Sequence, residues 1–371
     1  MTPRALYVHI PWCLKKCPYC DFNSHEAADP PFKAYGLQLV DDLEADIQDF
    51  GHQPLKSIFF GGGTPSLMPP QALEPLFHAL DRHRLIDSST EITLEANPGT
   101  RDLGHLAGYQ SLGVNRISIG VQSFNPTSLS HLGRVHSVDD ALRCIEDAQT
   151  LGYDSLNVDL MHGLPAQDAQ DVLFDLNTAL SMGVSHLSWY QLTIEPNTAF
   201  YKHPPKLPDE NTLETAEESG LQCILDAGLV QYEISAYARP GHEAQHNLNY
   251  WEFGDYLGIG AGAHGKLTID GRVVRTTRTR HPNHYLSRVT AQADRHHVEP
   301  SEVATECLMN GLRLKHGMSY ALFQERTGLD PQAVRANQFA RADALGLLEP
   351  GRFQATPLGW RHLNTLLEML V

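Results

Sequence analysis

The chain has 371 residues, 42% of them apolar, with 28 Lys and Arg against 44 Asp and Glu and a formal charge of −16. A surface this acidic has no general attraction for phosphate backbones, which argues against nucleic acid as a partner. No apolar run reaches the roughly 18–20 residues that span a bilayer, and MTPRALYVHIPWC lacks the apolar core of a secretory signal. The expectation is a soluble, cytoplasmic chain, with a peripheral membrane contact or a homodimer both open.

In chain order, short apolar runs predict strands at Leu6–Ile10, Ser57–Phe60, Glu91–Glu95, Arg116–Val121, Ser155–Leu160 and His186–Leu192. Helical periodicity fills Ala34–Phe50, Gln71–Arg82, Ser137–Leu151 and Ala169–Met182 between them. Strands alternating with helices predict an α/β fold with a parallel sheet and right-handed crossovers. Six such units predict a partial parallel (β/α)6 TIM-like barrel. Each strand runs into an unusual loop: the cysteine loop, GGGTPS, EANPG, GVQSFN, DLMHGLP and QLTIEPN. In α/β barrels the loops at the carboxyl ends of the strands build the site, so all six converge on one face. Gly, Pro and Asn also simply make turns, a reading that covers one or two of the loops.

Beyond the barrel, KHPPKLPDE at 202–210 leads into a helix at Asn211–Ala227, and a Gly- and Arg-rich segment occupies 254–285. From about residue 300 helices follow without intervening strands. The run LLEPGRFQATPLG and a final helix make this a small helical, winged-helix-like domain. Residues 301–371 carry seven Lys or Arg and seven Asp or Glu, so the footprint of a DNA-binding wing is missing and a structural or docking role is expected. The expected organisation is a barrel over 1–230, an extension over 231–295 and the winged domain over 296–371.

Three of six cysteines lie in one run, Cys13-Leu-Lys-Lys-Cys17-Pro-Tyr-Cys20, while Cys144, Cys223 and Cys307 sit in helical patterns as small core residues. Iron–sulfur clusters are usually held by four thiolates. A C-x3-C-x2-C loop supplies three, fixes three irons of a [4Fe–4S] cubane and leaves the fourth to an outside ligand. The amino and carboxylate groups of S-adenosylmethionine can chelate that iron, and electron transfer then cleaves the sulfonium to a deoxyadenosyl radical. A zinc site completed by His9 or His25 is the competing reading. Trp12, Tyr19 and Phe22 would shield the cluster and tune its potential.

The run YVHIPWCLKKCPYC resembles the radical-SAM superfamily, and specifically the branch that holds oxygen-independent coproporphyrinogen III oxidase and the HemW-type haem chaperones. The resemblance extends through FFGGGTPS, EANP, GVQSFN, LGR, NVDLMHGLP and HNLNYW to the C-terminal domain. It implies a cluster on Cys13, Cys17 and Cys20, bordered by Tyr7 and Tyr19. Gly62, Gly63 and Thr64 are expected to present backbone to the methionyl amino group. Glu95, Gln122, Arg134 and Asp159 are expected as further cofactor contacts, Arg134 suiting the carboxylate.

Within that branch the resemblance implies two functions. One is an enzyme that decarboxylates coproporphyrinogen III oxidatively to protoporphyrinogen IX. The other is a chaperone that binds haem and passes it to acceptor proteins, with an electron donor for the cluster. Three departures favour the chaperone. The oxidase pattern continues with a fourth cysteine where this chain reads Cys20-Asp21-Phe22. Only twelve residues precede Cys13. His246-Asn247-Leu-Asn-Tyr250-Trp251 matches the HNxxYW motif of the chaperone branch. His246 is then the expected haem ligand, with His281 and His284 as rivals. Arg272, Arg275, Arg278 and Arg280 are expected to hold the propionates, unless they merely protect an edge strand.

Overall fold

The computed structural model describes residues 4–100 and 103–369. The residues ahead of Arg4, on which the reading of the N-terminus partly rests, lie outside the described residues. Six strands run parallel and in chain order across the sheet: β1 (Arg4–Ile10), β2 (Leu55–Gly62), β3 (Glu91–Ala96), β4 (Arg116–Gln122), β5 (Ser155–His162) and β6 (His186–Gln191). The crossovers carry α1 (Phe32–Phe50), α2 (Pro70–Arg82), α3 (Leu103–Leu112), α4 (Val138–Leu151) and α5 (Ala169–Ser181). Capping explains where two of these begin. Ser137 and Asp168 each accept from the third helical N–H, and Asp140 and Asp171 return the bond to the cap, so two orphan donors are satisfied at each start.

The strands bury both faces, but differently. Ile117, Ile119 and Val121 of β4, with Leu156, Val158 and Leu160 of β5, join the core beneath the helices. The alternate residues Arg116, Ser118, Gly120 and Gln122, with Asn157, Asp159 and Ser188, line a cavity inside the curved sheet. Side chains alternate across a strand, so one register yields an oily outside and a polar inside.

The later residues extend the same sheet. After α6 (Glu210–Asp226), the hairpin β7 (Val230–Glu233) and β8 (Ala236–Ala238) adds antiparallel to β6. The segment HNLNYW forms α7 (Gln245–Trp251). At the opposite edge β9 (Asp255–Ile259) pairs parallel with β1, and β10 (His264–Ile269), β11 (Arg272–Thr277) and β12 (Asp294–His297) follow antiparallel. Twelve strands thus form one sheet among the described residues. The arginine-rich strand β11 is paired on both sides, so the edge-strand reading is corrected; β12 is the edge on that side.

A second core gathers Cys307, Leu308, Phe323, Phe339 and Phe353 of the C-terminal region with Phe253 and Val273 of the extension. It contains α8 (Pro300–Gly311) and the short wing of β13 (Met318–Ser319) and β14 (Arg352–Phe353). No described helix is long and apolar enough to cross a membrane.

Candidate functional site: a cysteine loop over a polar barrel

The cysteine loop leaves β1 and closes over the carboxyl ends of the strands. Cys13, Cys17 and Cys20 all line one cavity of about 680 Å³ together with Thr64, Glu95, Gln122, Arg134 and Asp159. Cys13 is buried, and burial raises its thiol pKa, with Cys20 and Cys17 close enough to raise it further. Cys20 Sγ lies 3.7 Å from Ser24 Oγ, and Arg134 donates through Nη1 to Cys17 Sγ at 3.5 Å. The other three cysteines are elsewhere: Cys144 and Cys307 in the two cores, Cys223 on α6 beside Asn177. The loop therefore offers three thiols and no fourth.

His9, one candidate for completing a zinc site, is already engaged. Its Nδ1 meets Tyr7 Oη at 3.0 Å and its Nε2 meets the Asn23 carbonyl at 2.9 Å. Among the described residues no cluster of His, Cys, Asp or Glu is drawn together around a single-ion site. A cubane holds each thiolate at a different corner and needs wider spacing than a single ion. The donor set, three soft sulfurs at an open cavity, fits a cluster with one free iron.

The glycine loop has local as well as functional causes. Gly62 sits at φ +115°, and a Cβ there would stand 2.6 Å from the His9 ring. A Cβ on Gly63 would meet the Trp12 backbone at 2.6 Å. The N–H groups of Gly63 and Thr64 donate to the carbonyls of Ile10 and Trp12, which ties the loop to the cysteine run.

Glu95, at the end of β3, accepts from the Gly62 N–H at 3.3 Å. Burial pushes its carboxyl up to about 8, and nearby Asp159 adds to the rise. Asp159 is likewise raised by burial, against hydrogen bonds that include Asn157 Nδ2 at 2.7 Å. Gln122 adopts φ +72° at the end of β4, and Tyr190 donates to its Oε1 at 2.8 Å. Arg134 donates through Nη2 to the Gly120 carbonyl at 2.7 Å, so its guanidinium bridges strand end and cysteine loop. Gly133, at φ +65°, lets the LGR turn press on Pro18, where a Cβ would be 2.9 Å from Cδ. Tyr19 packs against Phe200. Tyr7 is half-buried and lines the neighbouring cavity rather than the cysteine-loop one, and burial raises its phenol strongly.

HNLNYW divides its side chains by helical spacing. Asn247 and Trp251 line the barrel cavity, and Tyr250 lines a neighbouring cavity of about 750 Å³ with Tyr256, His264 and Arg280. His246 is only 2% exposed. Its Nδ1 meets Ser57 Oγ at 3.0 Å, its ring stacks on Phe59 and abuts Tyr250, and its Nε2 has no partner. Burial lowers its pKa to about 3. Glu91 caps the helix, accepting from the N–H groups of Gln245 and His246 at 3.0 and 3.1 Å.

Two of the four arginines, Arg275 and Arg278, are committed to acidic partners, which corrects the expectation that these two hold propionates. Arg275 donates to Tyr256 Oη at 2.9 Å and pairs with Glu306 at 2.6 Å. Arg278 is buried between Asp46 at 2.6 Å and Asp42 at 3.3 Å. Arg280 keeps an exposed guanidinium beside Asn23. The residues not anticipated from the sequence are those of the barrel interior: Ser118, Asn157, Ser188 and Tyr190, with Arg116, Glu233 and Arg313 at its far end. The signal was present as period-two polarity in RISIGVQ and SLNVDLMH.

The pattern of the Radical SAM superfamily matches residues 7–178, and that of the HemN C-terminal domain matches 298–362. Among curated relatives, "Heme chaperone HemW" of Escherichia coli (strain K12) is 46% identical over 100% of this chain and 99% of its own length. The relative of the same name in Bacillus subtilis (strain 168) is 36% identical over 88% of this chain and 87% of its own. Among solved structures, coproporphyrinogen III oxidase (HemN) from Escherichia coli superposes with a TM-score of 0.81 at 21% identity, covering 100% of this chain and 90% of that one, a likeness of fold. On full-length identity to these relatives, the chain belongs to the HemW family of the radical SAM superfamily.

Proposed function

We propose that this chain holds a [4Fe–4S] cluster on Cys13, Cys17 and Cys20, binds S-adenosylmethionine at the open iron, and binds haem for transfer to acceptor proteins in the cytoplasm. The observation that carries the first two parts is the loop of three thiols facing a polar cavity with no fourth thiol. When bound, the cluster would supply an electron, drawn from an electron donor, for reductive cleavage of the cofactor's own sulfonium carbon–sulfur bond.

The chain's own residues prepare that site. Arg134 donates to Cys17 Sγ and offers a cation that suits a carboxylate. The N–H groups of Gly63 and Thr64 are already used, so an incoming amino group would donate to carbonyl oxygens of that loop and to Glu95. Asp159 and Gln122 border the cavity beyond them. The barrel over 1–230 would bind the cofactor, the extension over 231–295 would contribute HNLNYW, and the domain over 296–371 would brace it.

The haem part rests on the names of the relatives and on HNLNYW. His246 remains a candidate ligand with an explicit demand: it is buried and lines neither cavity, so iron reaches its Nε2 only after the packing around it opens. His264, His281 and His284 are exposed imidazoles in the same extension. Anaerobic reconstitution with iron and sulfide tests the first two parts. Bound iron and sulfide should appear, and the reduced cluster's paramagnetic resonance spectrum should change on adding S-adenosylmethionine. Tightly held zinc without sulfide would overturn the cluster. Haem titration of the parent and of His246→Ala, read in the Soret band, tests the ligand. An unchanged spectrum removes His246.

A further inference from the structure

The barrel cavity has a second end. Arg116 opens β4 and Gln122 closes it. At about 3.3 Å per residue the two side chains stand roughly 20 Å apart along the strand. Gln122 belongs to the cysteine-loop mouth. Arg116 belongs to the floor, with Arg313, Glu233, Asn247 and Trp251.

The floor is electrostatically unfinished. Arg116 is 3% exposed, its Nε has no partner, and no hydrogen bond or ion pair engages its guanidinium among the described residues. Arg313 stacks over Trp251 at 4.7 Å, and its Nε is also without a partner. Glu233 acts on Arg313 and Asp159 on Arg116 only through space, neither within ion-pair distance, and burial raises both carboxyls, so each neutralises its arginine only in part. A buried cation costs free energy unless paired and hydrogen-bonded. One buried and one half-buried guanidinium lining the same cavity leave room for an anion whose oxygens match the guanidinium fork. Bulk electrostatics do not explain the pair, because the chain carries a net charge of −16.

We propose that Arg116 and Arg313 form a carboxylate-binding floor, which receives a carboxylate of the ligand that enters the barrel. This rests on the haem reading above and deepens it, since haem carries two propionates. Trp251 offers an aromatic face beside that floor, and Asn247 an amide. The motif HNLNYW would then act on the ligand through Asn247 and Trp251. Arg313 lies beyond the end of α8, so the C-terminal region supplies one half of the clamp.

The test compares haem with haem dimethyl ester, whose propionates are blocked, on the full-length protein and its Arg116→Met and Arg313→Met variants. Haem should bind the parent roughly tenfold or more tightly than the ester, about the size of one charge-assisted pair. Both variants should lose that preference by weakening haem and leaving the ester unchanged. The ligand-free Arg116→Met protein should melt at or above the parent, because it sheds an unpaired buried cation. Equal binding of haem and ester by the parent overturns the floor while sparing the haem reading. A marked loss of thermal stability in Arg116→Met assigns it a structural role and overturns the floor too. A parent that binds neither ligand overturns both readings together.

Discussion

Arg278 is the strongest structural lever in the extension, and its removal has a calculable cost. Its guanidinium is 1% exposed and lies between Asp46, 4% exposed, and Asp42, fully buried. Asp42 keeps a second cation, Arg288 at 2.6 Å, and accepts from Tyr285 and the Gly260 N–H. Asp46 keeps only Arg4 in its field, beyond ion-pair distance. Arg278→Met therefore leaves one buried carboxylate without its cation, a change worth about 3–5 kcal/mol. At about 2.1 cal/mol/K per residue, 371 residues melting as a unit translate this into a fall of about 4–6 °C.

The deficit carries a pH signature. Burial pushes the Asp46 carboxyl up to about 7 even with Arg278 beside it, and losing that cation raises it further. An acid whose folded pKa exceeds its unfolded value binds protons more readily when folded, so stability falls as pH rises between the two values. The variant's deficit should accordingly be small near pH 4 and grow through pH 7 and above. Adding Asp46→Asn should recover most of it. Thermal melts of the cluster-free protein across that range, with Arg272→Met as an exposed control, measure it. A deficit below about 1 kcal/mol, a deficit flat with pH, or an equal loss in Arg272→Met would refute the reasoning.

Further outcomes follow from the site. S-adenosylmethionine affinity should rise with pH through about 8 as Glu95 ionises, and Glu95→Gln should flatten that profile in equilibrium binding. Glu91→Ala removes the cap of α7 and should cost about 1–2 kcal/mol, with faster amide exchange at Gln245 and His246 as the local readout. The chain should not restore haem synthesis in cells that lack their own coproporphyrinogen III oxidase; restoration would promote the oxidase reading.

The six parallel strands and their loops were legible because apolar runs alternate with amphipathic ones, and because Gly62, Glu95 and Gln122 stand at or next to strand ends. The barrel interior was harder to read. Ser118, Asn157 and Ser188 look like interruptions in apolar strands until period two is applied across neighbouring strands. The arginine run misled for a different reason. Spacing along β11 cannot reveal that Asp42 and Asp46, more than two hundred positions earlier, face Arg278. The same holds for Glu91 beneath α7 and for Arg313, whose role depends on contacts between distant segments. His246 shows the limit of a motif: HNLNYW names a helix, but only its packing tells which side chains reach a cavity.

The parallel pairing of β1 with β9 has a consequence for how the chain is made. β1 lies in the interior of the sheet, yet one of its two neighbours begins about 250 residues later in the chain, at Asp255. At about 5–20 residues per second that interval lasts roughly 12–50 s. Throughout it, one flank of β1 and the adjoining cysteine loop stay uncovered, since Asn23 of that loop is later tied to the carbonyls of Ala261 and Arg280. Synthesis order thus leaves a window in which the thiols can be loaded before the extension latches the loop shut.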